Sequence, residues 1–214
     1  MTGIDRATFL RRGVAGALAA SSAGLPLAAR AVAGPPVRPA GEDIGFFQWG
    51  ATAELVGLAF YDRALHASLA WGSRGFTRAE RARLKLARDG DAEHLRKLRY
   101  TLAGDAPKAT DFTIELPDTA FADRRSILAF GAGLEQLIAG VYLDGVTSAS
   151  DAGTRALLGR LLASEAQQIS ALHVLAGAPA TAGLLRPVFP QEASDALDRY
   201  IQSGPSAPRA RGGA

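Results

Sequence analysis

Two glutamates stand where a water-soluble helix least tolerates them. Residues 46–70 are helix-compatible and apolar on nearly all sides, yet carry Glu54 inside ATAELVGLAFY. Residues 122–146 hold the run ILAFGAGLEQLIAGVYL, with Glu135 at its centre. Neither acid has an adjacent Lys or Arg. Helices apolar almost all round belong inside a bundle. Burying an ionised carboxylate costs on the order of several kcal/mol unless a cation or a hydrogen-bond network meets it. A workable fold must therefore bring compensating groups to both glutamates. Each is followed seven residues later by a tyrosine, Tyr61 and Tyr142. That is close to two helical turns, so each hydroxyl is expected on its own carboxylate's face.

Two further helices carry complementary groups. One runs over residues 77–103: Thr77-Arg78-Ala79-Glu80 is a capping box, and Gly104 is the expected C-cap before Pro107. The other is capped by Ser150 or Asp151, continues to Leu175 and closes with Gly177 and Pro179. On them stand Asp91-Ala92-Glu93-His94 and Glu165-Ala166-Gln167-Gln168. In each, an acid and a ligand-capable group three residues apart share a helix face, a spacing that lets both grip one ion. DAEHLRKL parallels EAQQISAL and both helices end in Leu-Ala-Gly, so the chain reads as a duplicated helical hairpin. Single pairs of this kind abound on solvated faces. Four acidic positions in this order are informative.

Residues 105–118 hold two prolines and a short alternating Phe112-Thr113-Ile114, and are too long for a tight helical hairpin. They form a crossover. Strand-like alternation is otherwise almost absent, and a short fifth helix fits residues 191–201. The class is all-α: two hairpins and one long crossover give an up-down-down-up four-helix bundle with a short C-terminal helix.

At these residues the chain resembles the ferritin-like superfamily of carboxylate-bridged di-metal proteins, and particularly exported bacterial proteins with a ferritin-like domain. The likeness spans roughly residues 44–177. The superfamily places Glu, Glu-x-x-His, Glu and Glu-x-x-His on four successive helices. Glu54, His94, Glu135 and Glu165 match, Asp91 substitutes a shorter acid, and Gln168 stands where the second histidine belongs. The resemblance implies a non-haem iron or manganese site of one or two ions, partly degenerate and asymmetric because an amide is a poorer ligand than imidazole. Glu54, Asp91, His94 and Glu165 would form the better half, Glu135 and Gln168 the weaker, with Tyr61 and Tyr142 beside them. If active, the protein would be a metal-dependent oxidoreductase working on O2 or peroxide. The alternative is a catalytically silent envelope or interaction protein whose metal site has lapsed. His66 is expected at the rim, and His173 off the site's face.

The remaining sequence bears on location and partners. Residues 1–12 are basic, residues 13–29 small and weakly apolar, and Ala31-Val32-Ala33 offers a cleavage signature, so residues 1–33 read as an export signal. Asp5-Arg6-Ala7-Thr8-Phe9-Leu10 resembles the twin-arginine consensus except at Ala7, which leaves that route and general secretion both open. The expected location is periplasmic or extracellular, with the export machinery as a partner and no permanent membrane span after cleavage. A Pro/Gly linker at 34–43, a bundle domain at 44–202 and a disordered tail at 203–214 complete the expected organisation. Arg6, Arg11, Arg12 and Arg30 against Asp5 account for the whole net charge of +3. The neutral remainder has no clustered basic stripe, which argues against nucleic acid. The absence of cysteine excludes disulfides, thiolate metal sites and a catalytic thiol. A homo-oligomer is left open.

Overall fold

The computed structural model describes residues 41, 43–181 and 183–203. The expected export segment lies outside them, as do residues 34–40 and 42 of the linker and residues 204–214 of the tail. Four long helices dominate: α1, Asp43–Ala70; α2, Arg78–Leu102; α3, Arg124–Ser148; and α4, Ala152–Leu175. A short α5, Pro190–Leu197, follows. α1 packs along α2 and α3 along α4, and the two hairpins meet mainly through α1 and α3.

The caps show how local sequence sets these bounds. Thr77 and Glu80 form the expected capping box, each side chain bonding the other's backbone amide. Asp123 caps α3, and Asp151 rather than Ser150 caps α4. α1 begins at Asp43, inside the expected linker, because that carboxylate has a structural task at the other hairpin. Buried beside the α3–α4 turn, it accepts hydrogen bonds from the amides of Ser150 and Asp151 and the hydroxyl of Ser150. The start of α1 is thereby tied to the start of α4. At the other end Arg124, opening α3, donates to Glu80 at the start of α2 and to the Leu175 carbonyl at the end of α4. These ties give the up-down-down-up order.

The C-cap of α2 differs from the expectation. Ala103 takes it with φ at 53°, and its amide bonds the Arg99 carbonyl. Gly104 instead lies in the short 3-10 turn at 103–105.

The crossover is more structured than its composition implies. Phe112–Ile114 forms β1 and pairs antiparallel with β2, Ile201–Ser203, with Ile114 opposite Ile201. The fifth helix therefore ends at Leu197, and Ser203 belongs to the domain, not to the tail. Sequence alternation over three residues flagged β1, but its partner lies nearly ninety residues downstream. Tyr200, just before β2, packs its ring edge-on against Phe130 at 5.5 Å and so anchors the strand pair to α3.

Burial follows the predicted division. α1 and α3 are buried over much of their circumference. α2 and α4 bury one stripe each: Leu84, Ala87, Asp91, His94 or Leu95, Leu98 and Thr101 or Leu102 on α2, and Leu158, Leu161, Glu165, Gln168 or Ile169, Leu172 and Leu175 on α4. The polar motif residues occupy those stripes. α3 is long and apolar enough to cross a membrane by length and composition, but 61% of its apolar stretch is buried within the protein and it carries Glu135.

Candidate metal centre

All four acids are fully removed from solvent. Glu54, Asp91, Glu135 and Glu165 each have 0% exposure, and His94 and Gln168 have 6%. Only inward faces of four helices meeting at one level produce such a set.

The contacts follow two antiparallel registers. Between α1 and α3, the Tyr142 hydroxyl donates to Glu54 Oε1 and the Tyr61 hydroxyl to Glu135 Oε1, each at 2.6 Å. Seven residues forward on one helix match seven backward on the other. Between α2 and α4, Gln168 Nε2 donates to Asp91 Oδ1 at 2.9 Å, and His94 Nδ1 lies 2.7 Å from Glu165 Oε1. There three residues forward match three back. The repeated hairpin is thus a pseudo-twofold in space, exchanging Glu54 with Glu135, Tyr61 with Tyr142, Asp91 with Glu165 and His94 with Gln168.

The shared face is as expected, and the bonding partner lies across the bundle. Each tyrosine shares its helix's inward face with a glutamate, but bonds the glutamate of the opposite hairpin. An i to i+7 pair is separated by two turns along its own axis, whereas facing helices bring a hydroxyl directly to a carboxylate.

The two halves differ in what is left unsatisfied. Glu54 Oε2, Asp91 Oδ2, both oxygens of Glu165 and His94 Nδ1 are buried without a hydrogen-bond partner. His94 Nδ1 lies 2.7 Å from Glu165 Oε1 and 3.3 Å from Glu54 Oε1, yet neither contact is a hydrogen bond. Converging electron-rich atoms repel unless a cation or protons lie among them. Glu54, Asp91, His94 and Glu165 each offer one ligand atom, all within 4.8 Å of one another. Atoms gathered this closely can converge on one ion with small side-chain adjustments. On the other side, Glu135 Oε2 is likewise unpartnered. Gln168, in contrast, is engaged at both ends, since its Oε1 also lies 3.2 Å from the Tyr61 hydroxyl.

Burial and crowding displace the titrations. Burial drives the carboxyls of Asp91 and Glu165 well above their ordinary range, and the neighbouring acids push them further. Burial raises Glu135 to about 7, while the hydrogen bond from Tyr61 pulls the other way. Burial and the adjacent carboxylates also raise both tyrosines, so each remains a hydroxyl donor. Without an ion, the cluster holds protons.

Two glycines, Gly57 and Gly90, shape the site. A Cβ at Gly57 would collide with Asp91 Oδ2, and one at Gly90 would come to 3.2 Å from Gln168 Nε2. Close approach of the α1 backbone lets the shorter acid at 91 reach the cluster. The available signal was a glycine three residues after Glu54 on an apolar helix.

The flagged histidines fall outside the cluster. His66 is exposed on α1. His173 is half-buried and borders a cleft of about 530 Å³ with Gln136, Ser170 and Arg186. Glu80 of the capping box is also partly buried against Arg124.

Comparison with known families places this geometry. A family model described as a ferritin-like domain matches residues 42–178. The chain belongs to the ferritin-like domain family. The match covers all four long helices of this ferritin-like protein and ends beyond α4. A comparison with curated proteins finds no match.

Proposed function

We propose that this ferritin-like protein is exported and binds iron or manganese through Glu54, Asp91, His94 and Glu165, in a partly degenerate version of a di-metal carboxylate site. The observation that carries this reading is the set of buried, unpartnered ligand atoms on those four side chains. Three carboxylates and one imidazole, with no thiolate, form the donor set expected for iron or manganese. A bound iron or manganese ion would supply one-electron redox chemistry toward O2 or peroxide.

The chain's own groups prepare the site for that role. Tyr142 holds Glu54 by one oxygen and leaves the other free. Gln168 does the same for Asp91. The apolar shell of α1 and α3, including Phe47, Phe60 and Ile138, excludes bulk water. Metal uptake must release the protons held on Asp91 and Glu165.

Loading the full chain with Fe(II) or Mn(II), removing free metal and measuring content tests the reading. Bound metal in the wild type and its loss in Glu54→Ala and His94→Ala support it; a metal-free wild type contradicts it. Peroxide or O2 consumption by the iron-loaded wild type, absent in His94→Ala, supports the redox role. A silent interaction protein is the rival reading, favoured by the Tyr61–Glu135 and Gln168–Asp91 bonds that satisfy part of the core without any ion. Export through the segment at residues 1–33 predicts a mature N-terminus at Gly34, which sequencing of secreted protein checks.

A further inference from the structure

The two halves of the cluster are related by the pseudo-twofold, but they present opposite groups at one equivalent position. His94 aims an unpartnered nitrogen at Glu165, whereas Gln168 aims an N–H at Asp91. The acids they face differ accordingly. Neither oxygen of Glu165 accepts a hydrogen bond, so one is available to an ion. Asp91 keeps only Oδ2, because Oδ1 accepts the Gln168 amide at 2.9 Å.

The orientation of that amide follows from its neighbours. The NH2 group faces Asp91, which can only accept once it is ionised to bind a cation, and the carbonyl oxygen is left toward the Tyr61 hydroxyl. The tyrosine also donates to Glu135, linking Asp91, Gln168, Tyr61 and Glu135 in one chain of contacts. The half built from Glu135 and Gln168 therefore meets an incoming cation with the positive end of an amide dipole. Among the described residues, the group able to hold one ion comprises Glu54, Asp91, His94 and Glu165, and excludes Glu135.

Resting on the metal-binding reading above, we infer that this chain holds a single divalent ion, and that Gln168 closes the other half of the cluster by placing its amide N–H on Asp91 Oδ1. Gly90 contributes by leaving room for that amide.

Manganese alone is the probe. The full chain is equilibrated with excess Mn(II), dialysed, and examined for metal per chain and for the electron paramagnetic resonance spectrum at low temperature. One ion per chain with a six-line, uncoupled spectrum is expected. Two ions per chain with an exchange-coupled spectrum would overturn the single-ion inference while leaving the metal-binding reading intact. No bound ion would overturn both. Gln168→His and Gln168→Glu replace the donor with a ligand-capable group, and each should raise the count from one to two and introduce coupling. A folded Gln168 variant that stays at one ion overturns the role given to the amide. The wild-type count stands even if neither variant folds.

Discussion

A carboxylate inside an apolar helix gains a role only from what faces it, and here the facing groups are individually placed. The Tyr61 hydroxyl gives its single proton to Glu135 at 2.6 Å and lies 3.2 Å from the Gln168 carbonyl oxygen. Tyr61→Phe removes the hydroxyl while keeping the ring, leaving a buried Glu135 oxygen short of its donor, and should cost about 1–3 kcal/mol in denaturant unfolding of the metal-free protein. An unchanged midpoint would mean that bond adds nothing. Gly57→Ala tests the close approach of α1 to Asp91. The added methyl must displace the Asp91 carboxylate, so Mn(II) affinity should fall in a titration even though alanine favours the helix by about 1 kcal/mol. Much of this was readable at residue level: an uncompensated Glu54 and Glu135, with acids and an imidazole at fixed spacing on two other helices, already implied a shared polar centre. The crosswise tyrosine bonds were not readable, because they depend on the stagger between α1 and α3, which no spacing within one helix encodes.

At the level of elements, the bundle depends on side chains that tie the end of one hairpin to the other. Asp43 is the clearest case, joining the start of α1 to the α3–α4 turn. Asp43→Ala should cost about 1–2 kcal/mol, read as a shift in the denaturation midpoint. Burial alone would raise the Asp43 carboxyl, but the amides of Ser150 and Asp151 outweigh it and hold the group below its usual range. The stabilisation is therefore present above the unfolded group's range, near pH 4, and is lost as pH falls through the lower folded value. The gap between wild type and variant should close in acid; a gap independent of pH would assign the loss to packing. Helix bounds were legible where a cap was local, as at Thr77 and Glu80. They were missed at Asp43 and at β2, whose partners lie far along the chain and leave no local trace.

For the whole molecule, the acids at the centre make stability depend on both pH and metal. In the metal-free protein, Glu135 is protonated up to about pH 7, whereas an unfolded glutamate releases its proton near pH 4.3. Between those values the folded state binds more protons, so unfolding free energy must fall as pH rises. Chelated protein should melt several degrees higher at pH 5.5 than at pH 7.5, and saturating Mn(II) should abolish or reverse that order, since the ion displaces the protons. A chelated protein whose melting is flat across this range would show that the acids are not held in a shared dry environment. The bundle and its topology were legible from patterning, while the asymmetry of its centre was only half so. Gln168 announced a missing imidazole, but the direction of its amide depends on Asp91 and Tyr61 converging from α2 and α1. The most direct measurement is an anomalous difference map from crystals of the full chain grown with Mn(II). One strong peak is expected within bonding distance of Glu54, Asp91, His94 and Glu165. A map without a peak among those four side chains, at full loading, would contradict the metal-binding reading.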